Sequence, residues 1–195
     1  MKKRLRIEYF LVAAVMLLLF VGSIAATNFF FQKEMVAQQE TYLRRKNTLL
    51  TDQLPPSVFE KGQLTNQQQL LVTHALDDAE ERVTLLQKNG TVFFDSSQNE
   101  PLESHKKRPE IAAVLSGATY GSALRKSKTL NKELLYVATP VLKSGEIVGI
   151  IRISEQTALF SKNIQSFRRY IIFTFGILFL LITLFIFLLL RQKNQ

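Results

Sequence analysis

Three short polar clusters in this chain could do chemistry. In "HKKRPE", His105, Lys106, Lys107 and Arg108 stand directly before Pro109, a residue suited to the first turn of a helix. Backbone N–H groups and the helix dipole would add to the attraction of those side chains for an anion. In "LRKSKT", Arg125 and Ser127 are two apart and therefore share one face of a strand. Asp95-Ser96-Ser97 supplies a carboxylate and two hydroxyls that could pair with either basic group. The chemistry this points to is recognition: a pocket for a small anionic ligand, or a docking face for an anionic polymer or lipid. The competing reading is a set of solvated loop charges with one Asp–Arg contact holding the fold.

Catalysis finds no support. The two histidines, His74 and His105, have no spacing to each other or to carboxylates that suits zinc or an activated nucleophile, and there is no cysteine. Glycine-rich phosphate loops and serine elbows are missing. The expectation is a non-enzyme without metal or cofactor.

The elements that must position these clusters are legible in the pattern. "RVTLLQ-KNGT-VFFDSS" is a hairpin turning at Asn89-Gly90. "HKKRPEIAAVLSG" is a short helix with Pro109 in its first turn and Gly117 past its end. Three strands follow, "YGSALRKSKTL", "KELLYVATPVL" and "GEIVGIIRISE", with turns at residues 129–132 and at Ser144-Gly145. Upstream, "PPSVFEKGQLTNQQQLLVTHALDDAEE" gives a Pro-Pro break and then a helical pattern through Leu70, Leu71, His74 and Leu76. The fold class predicted is α+β, a five-stranded antiparallel sheet with helices on one face.

Both ends of the chain are apolar. Residues 9–31 and 170–190 contain no charged side chain, and each run is long enough to cross a bilayer core. A cleaved signal peptide is the rival for the first run, with "MKKRLR" as its basic region and Ser23-Ile24-Ala25 as its small-residue site. The run continues through Phe31, which favours a membrane passage. Lys2, Lys3, Arg4 and Arg6 precede the first run while Arg191 and Lys193 follow the second, so both termini are expected in the cytoplasm. Arg168 and Arg169 argue weakly against this. Residues 1–8 and 191–195 are then tails, and residues 32–169 an extracytoplasmic domain at the cell membrane. That domain holds 19 Lys and Arg against 15 Asp and Glu, so most of the chain's +9 reflects membrane topology and nucleic acid is not expected as a partner.

No glycine or proline falls between Gly22 and Pro55, which predicts that the first passage continues outward as one rod. Its apolar pairs Met35/Val36, Tyr42/Leu43 and Leu49/Leu50 recur every seven residues, a face that could meet the domain's own sheet or a second copy of the rod. On the exit side Phe160, Ile164 and Phe167 continue a helical seam into the second passage. Met35, Tyr42, Leu49, Phe160, Ile164 and Phe167 are thus the candidate signal-transmitting positions. The mechanism expected is a displacement of one helix past the other.

The motifs carry a resemblance. Asp95-Ser96, R-P-E-I at Arg108 to Ile111, L-x-G at Leu115 to Gly117, R-x-S-x-T-L from Arg125, L-Y-V-A-x-P-V from Leu135 and G-x-I-x-G-x-I-R-x-S from Gly145 resemble the extracytoplasmic sensor of PhoR-type phosphate-regulon histidine kinases of Gram-positive bacteria. The match covers residues 82–154. It implies a PAS-like, single-Cache fold on a long N-terminal helix, and a homodimeric receptor signalling through a HAMP linker and kinase core to a response regulator. With the motif residue Tyr136, the ligand-contacting candidates are Asp95, Arg108, Arg125, Ser127 and Tyr136. The dimerisation helix and ATP-binding domain of such kinases are absent from this sequence, so it reads as the sensory half alone. Two alternatives remain open: a stand-alone two-pass accessory or interaction subunit that binds a partner membrane protein, and the input domain of a chemoreceptor or cyclase.

Overall fold

The computed structural model describes residues 2–76, 81–97, 104–127 and 132–192, of which residues 2–9, 158–168 and 190 are described by backbone alone. The chain divides into two units, Met1–Met35 with Phe160–Gln195, and Val36–Leu159.

Helix α1 runs unbroken over Lys2–Gln53 and stops before Pro55-Pro56, where the residue preceding a proline is pushed out of helical geometry. Two helices follow where the pattern predicted one. Helix α2, Pro56–Lys61, starts on a proline and is closed by Gly62 in the left-handed conformation. Helix α3, Asn66–His74, begins at a capping box in which the Gln68 N–H donates to Thr65 Oγ1 and the Thr65 N–H donates to Gln68 Oε1. The Thr-x-x-Gln signature is local and strong, and it starts a new helix after the Gly62 break.

The sheet is built from β1 (Arg82–Gln87), β2 (Val92–Asp95), β3 (Gly121–Lys126), β4 (Glu133–Lys143) and β5 (Glu146–Gln156), with α4 (Pro109–Leu115) between β2 and β3. All neighbours are antiparallel, in the order β2-β1-β5-β4-β3. The β4–β5 hairpin turns at Ser144 (φ 52°) and Gly145 (φ 85°), two positive-φ residues whose twist suits a two-residue connection. The turn expected at residues 129–132 lies mostly outside the described residues.

Helices lie against both faces of this sheet, which corrects the expectation of one covered face. On the first face Leu43 and Leu50 of α1, Leu54 just past its end, Val58 and Phe59 of α2 and Val72 of α3 bury Val83, Leu85, Leu135, Val137, Ile151 and Ile153. On the second, Ile111 and Val114 of α4 pack on Leu86, Ala138 and Ile150. The two-residue period of a strand explains this. β5 sends Ile151 and Ile153 to one core and Ile150, Arg152 and Ser154 to the other. The paired residues of α1 divide in the same way, with Leu43 and Leu50 buried while Tyr42 and Leu49 are 39 % and 60 % exposed. In these two pairs the monomer's own core thus uses the second member and leaves the first outside, while Met35 and Val36 are both half-buried.

Helix α5, Thr157–Gln192, follows β5 without an intervening loop. Among the described residues two helices are long and apolar enough to cross a membrane, one containing the N-terminal apolar run and the other spanning Arg169–Leu189, with their apolar windows unburied by protein. Within that unit the rings of Phe20 and Phe179 stack at 5.4 Å. The side chains of Phe160, Ile164 and Phe167 lie outside the described residues.

Candidate functional site: a buried charge network under helix α4

The second face of the sheet is polar at its centre. Cross-strand register aligns Asp95, Thr84 and Arg152 on adjacent strands, followed by Ala138 and Gly121. The neighbouring row aligns Arg82, Ser154, Tyr136 and Ala123. Above them, α4 contributes Glu110 from its first turn, fully buried. Gly121 makes this possible, because a Cβ there would lie 2.1 Å from the Glu110 carbonyl oxygen. Only a glycine lets the first turn of α4 come this close to β3.

Arg152 is the centre of the network and only 2 % exposed. Its Nη1 donates to Glu110 Oε1 at 3.3 Å and its Nη2 to Thr84 Oγ1 at 2.9 Å. The Thr84 hydroxyl in turn donates a hydrogen bond to Asp95 Oδ2 at 2.9 Å. Asp95 also accepts both of its oxygens' bonds from Arg82 Nε, at 2.8 and 3.0 Å, and bonds from the Ser97 N–H and hydroxyl. Arg125 Nη2 donates to the same Glu110 oxygen at 2.9 Å and its guanidinium lies 3.8 Å from the centroid of the Tyr136 ring. Arg152 approaches that ring at 5.1 Å. Such stacking favours a cation when it is shielded from water.

The electrostatics follow from burial set against neighbours. Burial works to raise the Asp95 pKa, but the bonds from Arg82 and Ser97 outweigh it and hold the carboxyl below its usual value. Glu110 is likewise lowered, with burial opposed by the Arg125 bond, its own backbone N–H and the charges of Arg125 and Arg152. Burial lowers Arg152 to about 10, so it stays protonated at neutral pH. His105, also buried, is lowered to about 4, first by burial and then by the charges of Arg152, Arg108 and Arg82 against the weaker pull of Asp95. It is therefore neutral and does not act as the anion-binding cation that its place in "HKKR" suggested.

His105 should also set an acid limit on stability. Its pKa lies below the unfolded value near 6.5, so the unfolded chain binds the extra proton and stability falls as pH drops from about 6.5 towards 4. The expected loss is about 3 kcal/mol. Urea unfolding of the full chain across this range should show it, and H105Q should flatten that limb; an identical limb in H105Q would exclude His105 as its source.

Of the sequence-derived candidates, the structure brings Arg125 and Tyr136 together at the network. Asp95 joins it through Thr84, and its ion-pair partner is Arg82 of β1, not either basic cluster as expected. Ser127 is buried just beyond β3, its N–H bonded to the Lys132 carbonyl at 2.7 Å. Arg108 occupies the N-cap position of α4 without a side-chain capping bond and is half-buried. Lys106 and Lys107 are exposed. Sequence reasoning missed Arg82, Glu110 and Arg152 as site residues. The signal was a lone charge in an apolar strand, "GIIRIS", since a buried charge requires partners.

Among the described residues, no group of His, Asp and Glu side chains could hold a metal ion. What the network offers is a cationic surface. Arg82, Arg125 and Arg152 face two carboxylates, and Arg125 Nε, Arg152 Nε, Ser154 Oγ and Glu110 Oε2 are buried without a hydrogen-bond partner.

Residues 53–156 match the family described as Single Cache-like. Among curated proteins, none matches the chain in sequence. Solved structures share the fold at low identity. The sensor domain of the V. cholerae histidine kinase DctB is 17 % identical with a TM-score of 0.55, over 68 % of this chain and 55 % of that one. The ligand-binding domain of the Campylobacter jejuni chemoreceptor Tlp3, in complex with 4-methylisoleucine, is 13 % identical with a TM-score of 0.50, over 72 % and 61 %. That of the Pseudomonas aeruginosa amino acid chemoreceptor PctC, in complex with GABA, is 12 % identical with a TM-score of 0.50, over 70 % and 60 %. This chain thus spans less than two thirds of each.

Proposed function

This chain belongs to the Single Cache-like family, and from that premise we propose that it is the sensory module of a two-pass membrane receptor. The domain between the apolar helices takes a small anionic ligand outside the cytoplasm and passes its state through α1 and α5 to an output on the inner side. A two-component histidine kinase of PhoR type is the output favoured by the motifs at residues 82–154. The likeness in fold to the Tlp3 and PctC domains favours a second reading, the input of a chemoreceptor. The basic residues beside the apolar runs support a cytoplasmic side for both termini.

The observation that carries the ligand reading is the surplus of buried positive charge on the α4 face, three guanidinium groups against two carboxylates, with unpartnered donors at Arg125, Arg152 and Ser154. A buried surplus of one sign is costly unless an ion offsets it. The test is thermal unfolding of the full chain in nanodiscs against amino acids, mono- and dicarboxylates and orthophosphate. One anionic class should raise the midpoint, and R125Q should abolish the rise. No response to any of these anions would overturn the reading.

We also place a homodimer contact on the outward members of the α1 pairs, Tyr42 and Leu49. Beside them a groove of about 610 Å³ runs between α1 and α3, lined by Leu50, Leu71 and His74 among others. The chain has no cysteine, so L49C introduces a single thiol. Oxidation should yield a disulfide-linked dimer, and exclusively monomeric L49C would place the contact elsewhere.

A further inference from the structure

Glu110 is held unusually for a buried ion-pair partner. Two arginines from different strands, Arg125 of β3 and Arg152 of β5, both donate to its Oε1. Its Oε2 is buried and unpartnered, as are the Nε atoms of both arginines. A carboxylate optimised for two guanidinium groups would engage both oxygens in parallel pairs of bonds. With the Glu110 main chain seated close against Gly121, its side chain meets the two arginines through one oxygen only. The geometry points to Glu110 as a tethered carboxylate that occupies the site where the two arginines and the Tyr136 ring would bind the carboxylate of a diffusible ligand.

The inference rests on the ligand reading above and adds what fills the site without ligand. A free monocarboxylate is not tied to α4 and can turn both oxygens to the guanidinium edges, taking the unused Nε–H donors and the Ser154 hydroxyl. Binding then displaces Glu110. Because Glu110 is the second residue of α4, its displacement moves the first turn of that helix off β3. The ligand class is therefore a small carboxylic acid, and the resting state is self-occupied.

Truncation supplies the test, because the atoms that E110A removes, one methylene and the carboxylate, amount to acetate. The full chain in nanodiscs carries E110A, E110Q or no change, and thermal unfolding is followed against sodium acetate with sodium chloride at matched ionic strength. Acetate at about 0.1 M should raise the E110A midpoint by roughly 3–8 °C over chloride, saturably. E110Q, whose amide still fills the space, and the wild type should show no difference between the two salts. If E110A is unfolded without added anion, acetate and not chloride should restore its helical circular dichroism. Equal effects of the two salts on E110A, in stability or in refolding, would overturn the inference and make Glu110 a fold-holding partner only. The anion panel on the wild type is separate, so a wild-type response without acetate rescue of E110A rejects the tethered carboxylate alone. Rescue without any wild-type response rejects the external ligand alone.

Discussion

Replacing Arg152 by methionine is expected to lower the unfolding free energy by about 3–5 kcal/mol, the range for removing one partner of a buried ion pair. Methionine fills much of the same volume, so the loss reads charge and hydrogen bonds more than a cavity. Glu110 would keep Arg125 but lose its more deeply buried cation, and Thr84 Oγ1 would lose the Arg152 donor while keeping its own bond to Asp95. R125M should cost less, because the Arg125 side chain is 21 % exposed against 2 % for Arg152 and water can replace part of what it provides. Adding E110Q to R152M should cost less than the two single losses together, since the second change removes a carboxylate already partly stranded. Urea unfolding of the full chain in micelles measures all four. A loss below about 1 kcal/mol for R152M would mean that the network is hydrated and not a buried unit.

The second large effect is expected from one methyl group. In G121A the new Cβ would lie 2.1 Å from the carbonyl oxygen of Glu110 and 2.9 Å from its carbonyl carbon, both main-chain atoms. No side-chain rotation relieves that contact, so the first turn of α4 must lift from β3. The lift separates Glu110 from Arg125 and Arg152 and opens the Ile111 and Val114 packing on Ala138 and Ile150. We expect a loss of about 3 kcal/mol or more, from overpacking together with the broken ion pairs. S122A, the exposed neighbour, should stay within about 0.5 kcal/mol of wild type and serves as the control. Equal stability of G121A and S122A would show that the approach of α4 is not what holds the site closed.

Much of the architecture is legible in the sequence because its signals are local. Asn89-Gly90, Ser144-Gly145, Pro109 and the alternating strands each fix an element through neighbours a few residues away. What needed the structure is long-range. Whether α4 covers the same face as α1 depends on the path of the chain between β2 and β3, and nothing in "PEIAAVL" encodes a side of the sheet. The same limit applies to the site. Asp95, Arg125 and Tyr136 could be named from their types and motifs, but Asp95 pairs with Arg82 through strand register, a relation across 13 positions. Arg152 and Glu110 are 42 positions apart. His105 carries the opposite lesson. Its neighbours "KKR" suggested a cation, whereas burial beside Arg152 removes its charge.

Strand β5 is one peptide thick and carries charge on one side and apolar side chains on the other. Arg152 on one side and Ile151 and Ile153 on the other are joined by single covalent links, while Gln39 of α1 donates to Glu155 near the strand's end. The sheet therefore acts as a thin partition with a charged compartment against one wall and the α1 helix against the other. Any rearrangement among the arginines that tilts this strand tilts the wall on which α1 rests. Under the proposed sensory role, a change on the α4 side reaches the α1 side across a single layer of backbone.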